Sequence, residues 1–319
     1  WYNETLNTST RGSRKEFPSV AVIVAEVQKV TIYDGDTPDL DMWMVFNSGG
    51  GSFSNHMLLG PSGTISGVKV VNGILAVCKI SGGHSLVLLD FIKESSEILR
   101  LSNDAGLRGF HSTKAFSERN VLSGEHNGTL RQLVSNIAND VAMTVLPNAP
   151  IDSTTGLPIP TIAVATNGGV SVIKDDGNVW DITANQGSAF SIITRVSIDN
   201  ENVYFVGPNT NRSNIVKAIP SSDTTFNSQP EIATDKFALY EGNNSTLNGV
   251  FANGNLNVTK VEGLGNNTVA TNGDSLNLFS DATSNQTGMA AYVASTYNSG
   301  YMTGDIKGAW LSDTDTTNV

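Results

Sequence analysis

Apolar side chains in this sequence fall in short β-branched runs separated by polar turns, and nowhere in a long helical stripe. The stretch PIPTIAVATNGGVSVIKDDGNVWDIT (158–183) shows the unit most plainly. Thr161–Thr166 is an apolar run, Asn167-Gly168-Gly169 turns the chain, and Val170 and Val172 then alternate with Ser171. Asp176-Gly177 turns it again into Val179–Ile182. Alternation with period two marks a strand, and Asn-Gly and Asp-Gly mark hairpins, because a type I′ turn needs φ > 0 at both central residues. A three-stranded antiparallel meander is the expectation, with I′ turns at both corners.

The same grammar recurs. Val20–Ala25, Val30–Tyr33 and Met42–Phe46 form a first group. Ile65–Val71, Ile74–Ile80, Leu86–Ile92 and Glu97–Leu101 form a four-stranded meander with Asn72-Gly73 at its first corner and Ser81–His84 at its second. Residues 103–135 lack the pattern and read as a loop excursion or a decayed unit. Val141–Leu146 opens the central unit; Phe190–Ile198, Asn202–Val206 and Ile215–Ile219 make another. A looser tail holds Phe237–Tyr240, Leu247–Ala252, Leu256–Val261, Thr268–Ala270 and Leu276–Phe279. Ala165-Thr166-Asn167-Gly168 recurs as Ala270-Thr271-Asn272-Gly273, each copy following a Gly-Leu pair.

A meander with apolar side chains on both faces is not stable alone in water. Stacking such sheets in a ring covers both faces and leaves only short edges. A sandwich would need longer Greek-key crossings, whereas the connections here are short. The expected fold is therefore all-β, a β-propeller of four-stranded antiparallel meander blades. Five units are discernible and the ring is expected to hold five to seven. Residues 1–16 are expected as an N-terminal arm, 17–310 as the propeller, and 311–319 as a linker toward a further module. Phe17–Ala25 and residues 289–310 are the candidates for closing the ring. The arm carries Arg11, Arg14 and Lys15, and reads as a solvated lead-in or as an arm pairing with an acidic neighbour. A chain opening on Trp1 reads as a piece of something longer.

Composition narrows the function classes. Charged residues are 15% of the 319 and the net charge is −11. Such a surface repels phosphate backbones, so nucleic-acid binding is not expected. No apolar run is long enough for a membrane span. The single Cys78 excludes an internal disulfide and sits in an apolar run, where a buried, inert thiol is expected.

Candidate chemistry is sparse. Asp34, Asp36, Asp39 and Asp41 crowd the loop 34–41, which is either a solvated acidic loop or a Ca²⁺ site, although no EF-hand spacing is present. His56, His84, His111 and His126 show no metal-ligand spacing. No nucleophile elbow, P-loop or dinucleotide fingerprint occurs. A glycosidase needs two carboxylates across a cleft, and Asp90 and Asp181, at strand ends, are the best placed by position. Strand-end aspartates more often cap turns, so no catalytic, metal or cofactor residue is assigned and an enzyme is not expected. Trp43 and Trp180 lie in apolar strands and are expected in the core; Trp1 and Trp310 are undetermined.

Three strings carry a resemblance: WYNETLNTSTRGSRKEFPSVAVIVAE (1–26), TIYDGD…MWMVFN (31–47) and NDVAMTVLPNAPIDSTTGLPIPTIAVATNGGVSVIKDDG (139–177). Here the chain resembles tail-associated proteins of marine tailed bacteriophages, over roughly its first 180 residues. The resemblance implies a structural or adhesive virion protein of a tail fibre, spike or nozzle, assembled in the bacterial cytoplasm. It implies other tail proteins as partners, several copies per virion, and contact with a host-surface glycan. A tailspike depolymerase and a free-standing sugar-binding propeller are the alternatives.

Overall fold

A computed structural model describes residues 1–50, 56–81, 85–99, 110–112, 114–122, 132–184, 192–206, 212–226, 238–240, 258–264, 267–272, 275–280, 289–294 and 308–311. For residues 110–111, 212–216 and everything from 226 onward, the backbone alone is described. The chain divides into two compact units. One comprises Trp1–Val141, Pro150–Ile159 and Asp176–Val179; the other comprises Ala142–Ala149, Pro160–Asp175 and Trp180–Val319.

The first unit holds two sheets. β1 (Ala21–Glu26), β2 (Lys29–Asp34) and β3 (Met42–Asn47) form an antiparallel meander. β4 (Ile65–Val71), β5 (Ile74–Lys79), β6 (Leu86–Asp90), β7 (Ser95–Leu99) and β8 (Phe110–Ser112) form a five-stranded one, in chain order. The sequence shows four of these five strands; β8 lies in the stretch read as patternless. The corner Asn72-Gly73 is the expected I′ pair, with φ of 49° and 77°. Apolar residues of both sheets share one core, including Val30, Trp43, Phe46, Leu75, Val87, Leu89 and Ile98.

The arm is exposed over much of its length but is tied to the first sheet. Arg11 bridges to Met44, Gly12 N donates to Trp43 O and Val45 N donates to Thr10 O, so residues 10–12 extend the first sheet beyond β3. Gly12 is needed there, because a Cβ would run into Met42 O.

In the third sheet, β10 (Thr161–Thr166), β11 (Gly169–Ile173) and β12 (Val179–Ala184) are the meander expected from 158–183, with β9 (Ala138–Thr144) on the far side of β10. Every residue of β10 and β11 is buried, as in sheets covered on both faces. The turns differ from expectation. Asn167 and Gly168 keep negative φ, and Gly169 completes the reversal at φ 136°. Thr166 explains it: its hydroxyl accepts from Gly168 N and donates to Gly169 O, holding the turn from within. At the second corner only Gly177 is positive, at 88°, in a longer loop.

β13 (Arg195–Ile198), β14 (Asn202–Val206) and β15 (Arg212–Ala218) start a fourth sheet. β16 (Thr224–Phe226) leaves it to pair parallel with β12. β17 (Ala238–Tyr240) completes the fourth sheet against β15. The fifth runs in chain order through β18 (Val258–Leu264), β19 (Asn267–Asn272), β20 (Ser275–Ser280), β21 (Met289–Ala294) and β22 (Gly308–Leu311). Among the described residues β21 and β22 pair only within this sheet, so the expected closure with Phe17–Ala25 is not formed there. Leu247–Ala252 lies outside the described residues. The architecture is nearly all β, built of blade-like antiparallel sheets, as the apolar pattern predicts. Among the described residues the single helical turn is Phe116–Glu118.

Candidate functional site

Two deeply buried arginines of the first unit, Arg119 and Arg11, tie its arm down. Arg119 follows the helical turn at Phe116–Glu118 and is 1% exposed. Its Nε donates to Val45 O at 2.7 Å, Nη2 to Thr10 O at 2.7 Å, and Nη1 to both Phe116 O and Glu4 Oε2 at 2.7 Å. Arg11, fully buried, sends Nη1 to Trp43 O at 2.8 Å and Nη2 to Lys15 O at 2.9 Å. Its guanidinium lies 4.9 Å from the Trp43 ring centre, and its Nε stands 3.5 Å from Glu4 Oε2. Burial lowers the Arg11 pKa, and the Glu4 charge opposes that. Planar guanidinia with five donors suit such sites, where many carbonyls must be satisfied together.

Lys79, at the end of β5, is also fully buried, yet no carboxylate meets it. Its Nζ donates to Leu59 O at 2.7 Å and Pro61 O at 2.8 Å, and Ser48 Oγ shares the Pro61 carbonyl. Burial pulls its pKa down to about 7. Two carbonyl acceptors match the two hydrogens of a neutral amine. The sequence gives no warning of this, since Lys79 closes an apolar run that is otherwise an ordinary core strand.

The acidic loop 34–41 is occupied by the arm. Arg14 Nη1 lies 3.0 Å from Asp34 Oδ2 and 2.6 Å from Asp36 Oδ2. Asp36 also accepts from Ser19 N and Val20 N, and those amides, with Arg14, hold its carboxyl below the usual range. Among the described residues no three His, Cys, Asp or Glu side chains gather as metal ligands.

Asp90 belongs to the first unit and Asp181 to the second, and each has local work. Asp90 Oδ1 accepts from Ile92 N and Lys93 N, capping the β6–β7 turn. Asp181 Oδ1 accepts from Ser171 Oγ at 2.6 Å. The carboxylate that the fold brings to Asp181 is Asp223, which precedes β16 and accepts from Asp181 N at 3.0 Å. Burial raises the Asp181 pKa, the Ser171 bond opposes it, and the Asp223 charge adds to the rise. Only the parallel return of β16 creates this pair, so alternation along the chain could not reveal it.

Cys78 is buried, with its thiol pKa pushed up by burial and then by Asp140, which makes it an inert group. Trp43 is buried as expected. Trp180 is only half-buried, because β12 lies toward the edge of its sheet beside the short β16. Trp1 packs edge-on to Trp43, with ring centres 5.4 Å apart. Trp310 pairs through its backbone with Ala290. His56 is buried, its Nδ1 2.8 Å from Met57 O; His111 lies in β8. His84 and His126 lie outside the described residues.

No protein-family model and no curated protein sequence matches the chain. Solved structures similar to it include Hsv2 of Kluyvelomyces marxianus, at 9% identity over 86% of this chain and 62% of that one, TM-score 0.35. The polycomb repressive complex 2 of Chaetomium thermophilum is similar at 11% identity over 84% of this chain and 47% of that one, TM-score 0.42. This chain thus spans less than two thirds of the length of either. The β-propeller domain of Myceliophteria thermophila Swd1 is similar at 9% identity over 86% of this chain and 90% of that one, TM-score 0.38. Similarities this distant bear on no activity, ligand or partner of this chain.

Proposed function

We propose that the chain is a structural protein of a bacteriophage tail, a β-propeller scaffold held in several copies in the virion that presents loops to a host-surface glycan. The observation that carries this reading is the resemblance of residues 1–26, 31–47 and 139–177 to tail-associated proteins of marine phages. The fate of those residues supports it. Their arginines are used to fasten the arm to β3, and their aspartates to neutralise Arg14 or cap turns. A scaffold needs such a fastened end more than it needs a reactive group. Weak glycan contacts gain avidity when a symmetric particle repeats them.

Labelling purified virions with antibody against the recombinant chain, read by electron microscopy, tests the proposal. Gold confined to the tail is the expected result. Signal in infected-cell lysate with none on washed particles would reject a virion role.

A further inference from the structure

β1 is an edge strand with an apolar outer face. Val20, Val22 and Val24, spaced by two, are 56%, 37% and 39% exposed. The side on which its backbone is satisfied follows from the bonds at its ends. Val20 N donates to Asp36 Oδ1 and Val20 O accepts from Gly35 N, both on the β2 side. Main-chain groups alternate sides along an antiparallel strand. Val22, Val24 and Glu26 therefore face β2, whereas Ala21, Ile23 and Ala25 face outward. Val27, next in the outward series, has its carbonyl taken by Ile65 N, which confirms the direction and caps that end. Among the described residues no backbone bond reaches the outward groups of Ala21, Ile23 or Ala25. A flat valine-lined edge of this kind, left bare, is a site of uncontrolled association.

We propose that the β1 edge accepts an extended strand from a partner protein, one with β-branched residues in alternation and Lys or Arg at its ends. Charge selects that occupant over a second copy. The ends of β1 are rimmed by Glu26 on one side and by Asp34, Asp36, Asp39 and Asp41 on the other. Lys29 neutralises Glu26 at one end, and at the other Arg14 offsets one of four carboxylates, so three uncompensated negative charges gather at the end beside loop 34–41. A second copy would bring the same acidic rim and another net charge of −11 to the contact. A basic-ended strand gains the ladder bonds of β-augmentation and meets charge of opposite sign. The inference goes beyond the tail reading and holds or fails without it.

The test uses the full chain and two ten-residue peptides of alternating Val and Thr, one ended in Lys and one in Glu. Fluorescence anisotropy at low salt is expected to show the Lys-ended peptide binding at least about tenfold more tightly. Amide exchange by NMR is expected to be fast at Ala21, Ile23 and Ala25 in the free chain and slowed when the peptide binds. Ala25→Pro removes one outward N–H without breaking the β2 ladder, and is expected to weaken binding at least about tenfold. If that variant does not fold by circular dichroism, Val22→Lys with Val24→Lys serves instead, placing charge on the stripe. Equal or absent binding of the two peptides would overturn the proposal. So would protected amides at these positions in the free chain, or dimerisation of the chain that Ala25→Pro abolishes.

Discussion

Glycines at positive φ differ in what surrounds them, and that ranks the cost of replacing them. Gly177, at φ 88°, has open space where a Cβ would go, so Gly177→Ala carries only the strain of a Cβ at positive φ, about 1 kcal/mol. At Gly73, φ 77°, a Cβ would press Ile92 Cδ1 at 3.1 Å, a side-chain end that can move, and about 1–2 kcal/mol is expected. At Gly169, φ 136°, it would meet the backbone carbonyl of Ile182, which cannot move, and a cost of about 3 kcal/mol or more is expected. Urea midpoints of the three alanine variants should follow that order; equal shifts would contradict it. Lys79 gives a second residue-scale prediction. Its folded pKa, near 7, lies below its ordinary value, so between about pH 7 and 10 the unfolded chain binds a proton that the folded chain does not. Stability from this group therefore rises with pH across that window, by about 3 kcal/mol. Groups such as Tyr204, whose pKa is raised by burial and then by Asp199, act in the opposite sense. The difference between the wild type and Lys79→Met, measured by denaturation from pH 7 to 10, isolates the lysine. A pH-independent difference would show that Lys79 keeps its proton throughout.

Among the elements, the arm is the clearest test of how far local pattern reaches. Arg119→Met removes the donors to Val45 O, Thr10 O, Phe116 O and Glu4. Each acceptor keeps one other partner, Asn120 Nδ2 on Val45 O, Val45 N on Thr10 O, Arg119 N on Phe116 O and Arg11 beside Glu4, so a loss of about 1.5–3 kcal/mol is expected. Trypsin should then cleave at Arg14 and Lys15 before the rest of the chain; unchanged cleavage would mean that the arm is held by its backbone alone. The sequence-based expectation of strands over Ile65–Val71, Thr161–Thr166 and Asn202–Val206 coincides with β4, β10 and β14, because alternation and β-branching are local signals. What escaped were features fixed by distant residues. The arm's polar run looks solvated until Glu4 and Arg11 are set beside Arg119, more than a hundred positions away. β16 is three residues long and exists only because β12 offers it an edge. The turn at Asn167-Gly168 departs from type I′ for a local reason, the Thr166 hydroxyl that bonds Gly168 N and Gly169 O. Of the candidate site, Asp90 as a turn cap was legible from its position, whereas the meeting of Asp181 with Asp223 depends on the β16 crossover.

At the scale of the molecule, each repeat is a sheet that is incomplete without covering layers. The recurring Ala-Thr-Asn-Gly string falls in the second strand of its sheet in both copies, β10 and β19. The copies are out of step by one residue: Thr166 pairs with Gly169, whereas Asn272 pairs with Ser275. The closing pair has thus drifted along the string while the strand kept its place, as expected where packing of the sheet and not the corner fixes the repeat. Five such sheets occur among the described residues, in line with the five units discernible in the sequence. An account in which they serve as blades of a tail scaffold is tested most directly by electron cryomicroscopy of the intact virion at side-chain resolution. It predicts five to seven meander sheets radiating from one axis, in a copy number set by the tail's symmetry. Strands crossing between two opposed sheets, or a tail with no density for this chain, would contradict it.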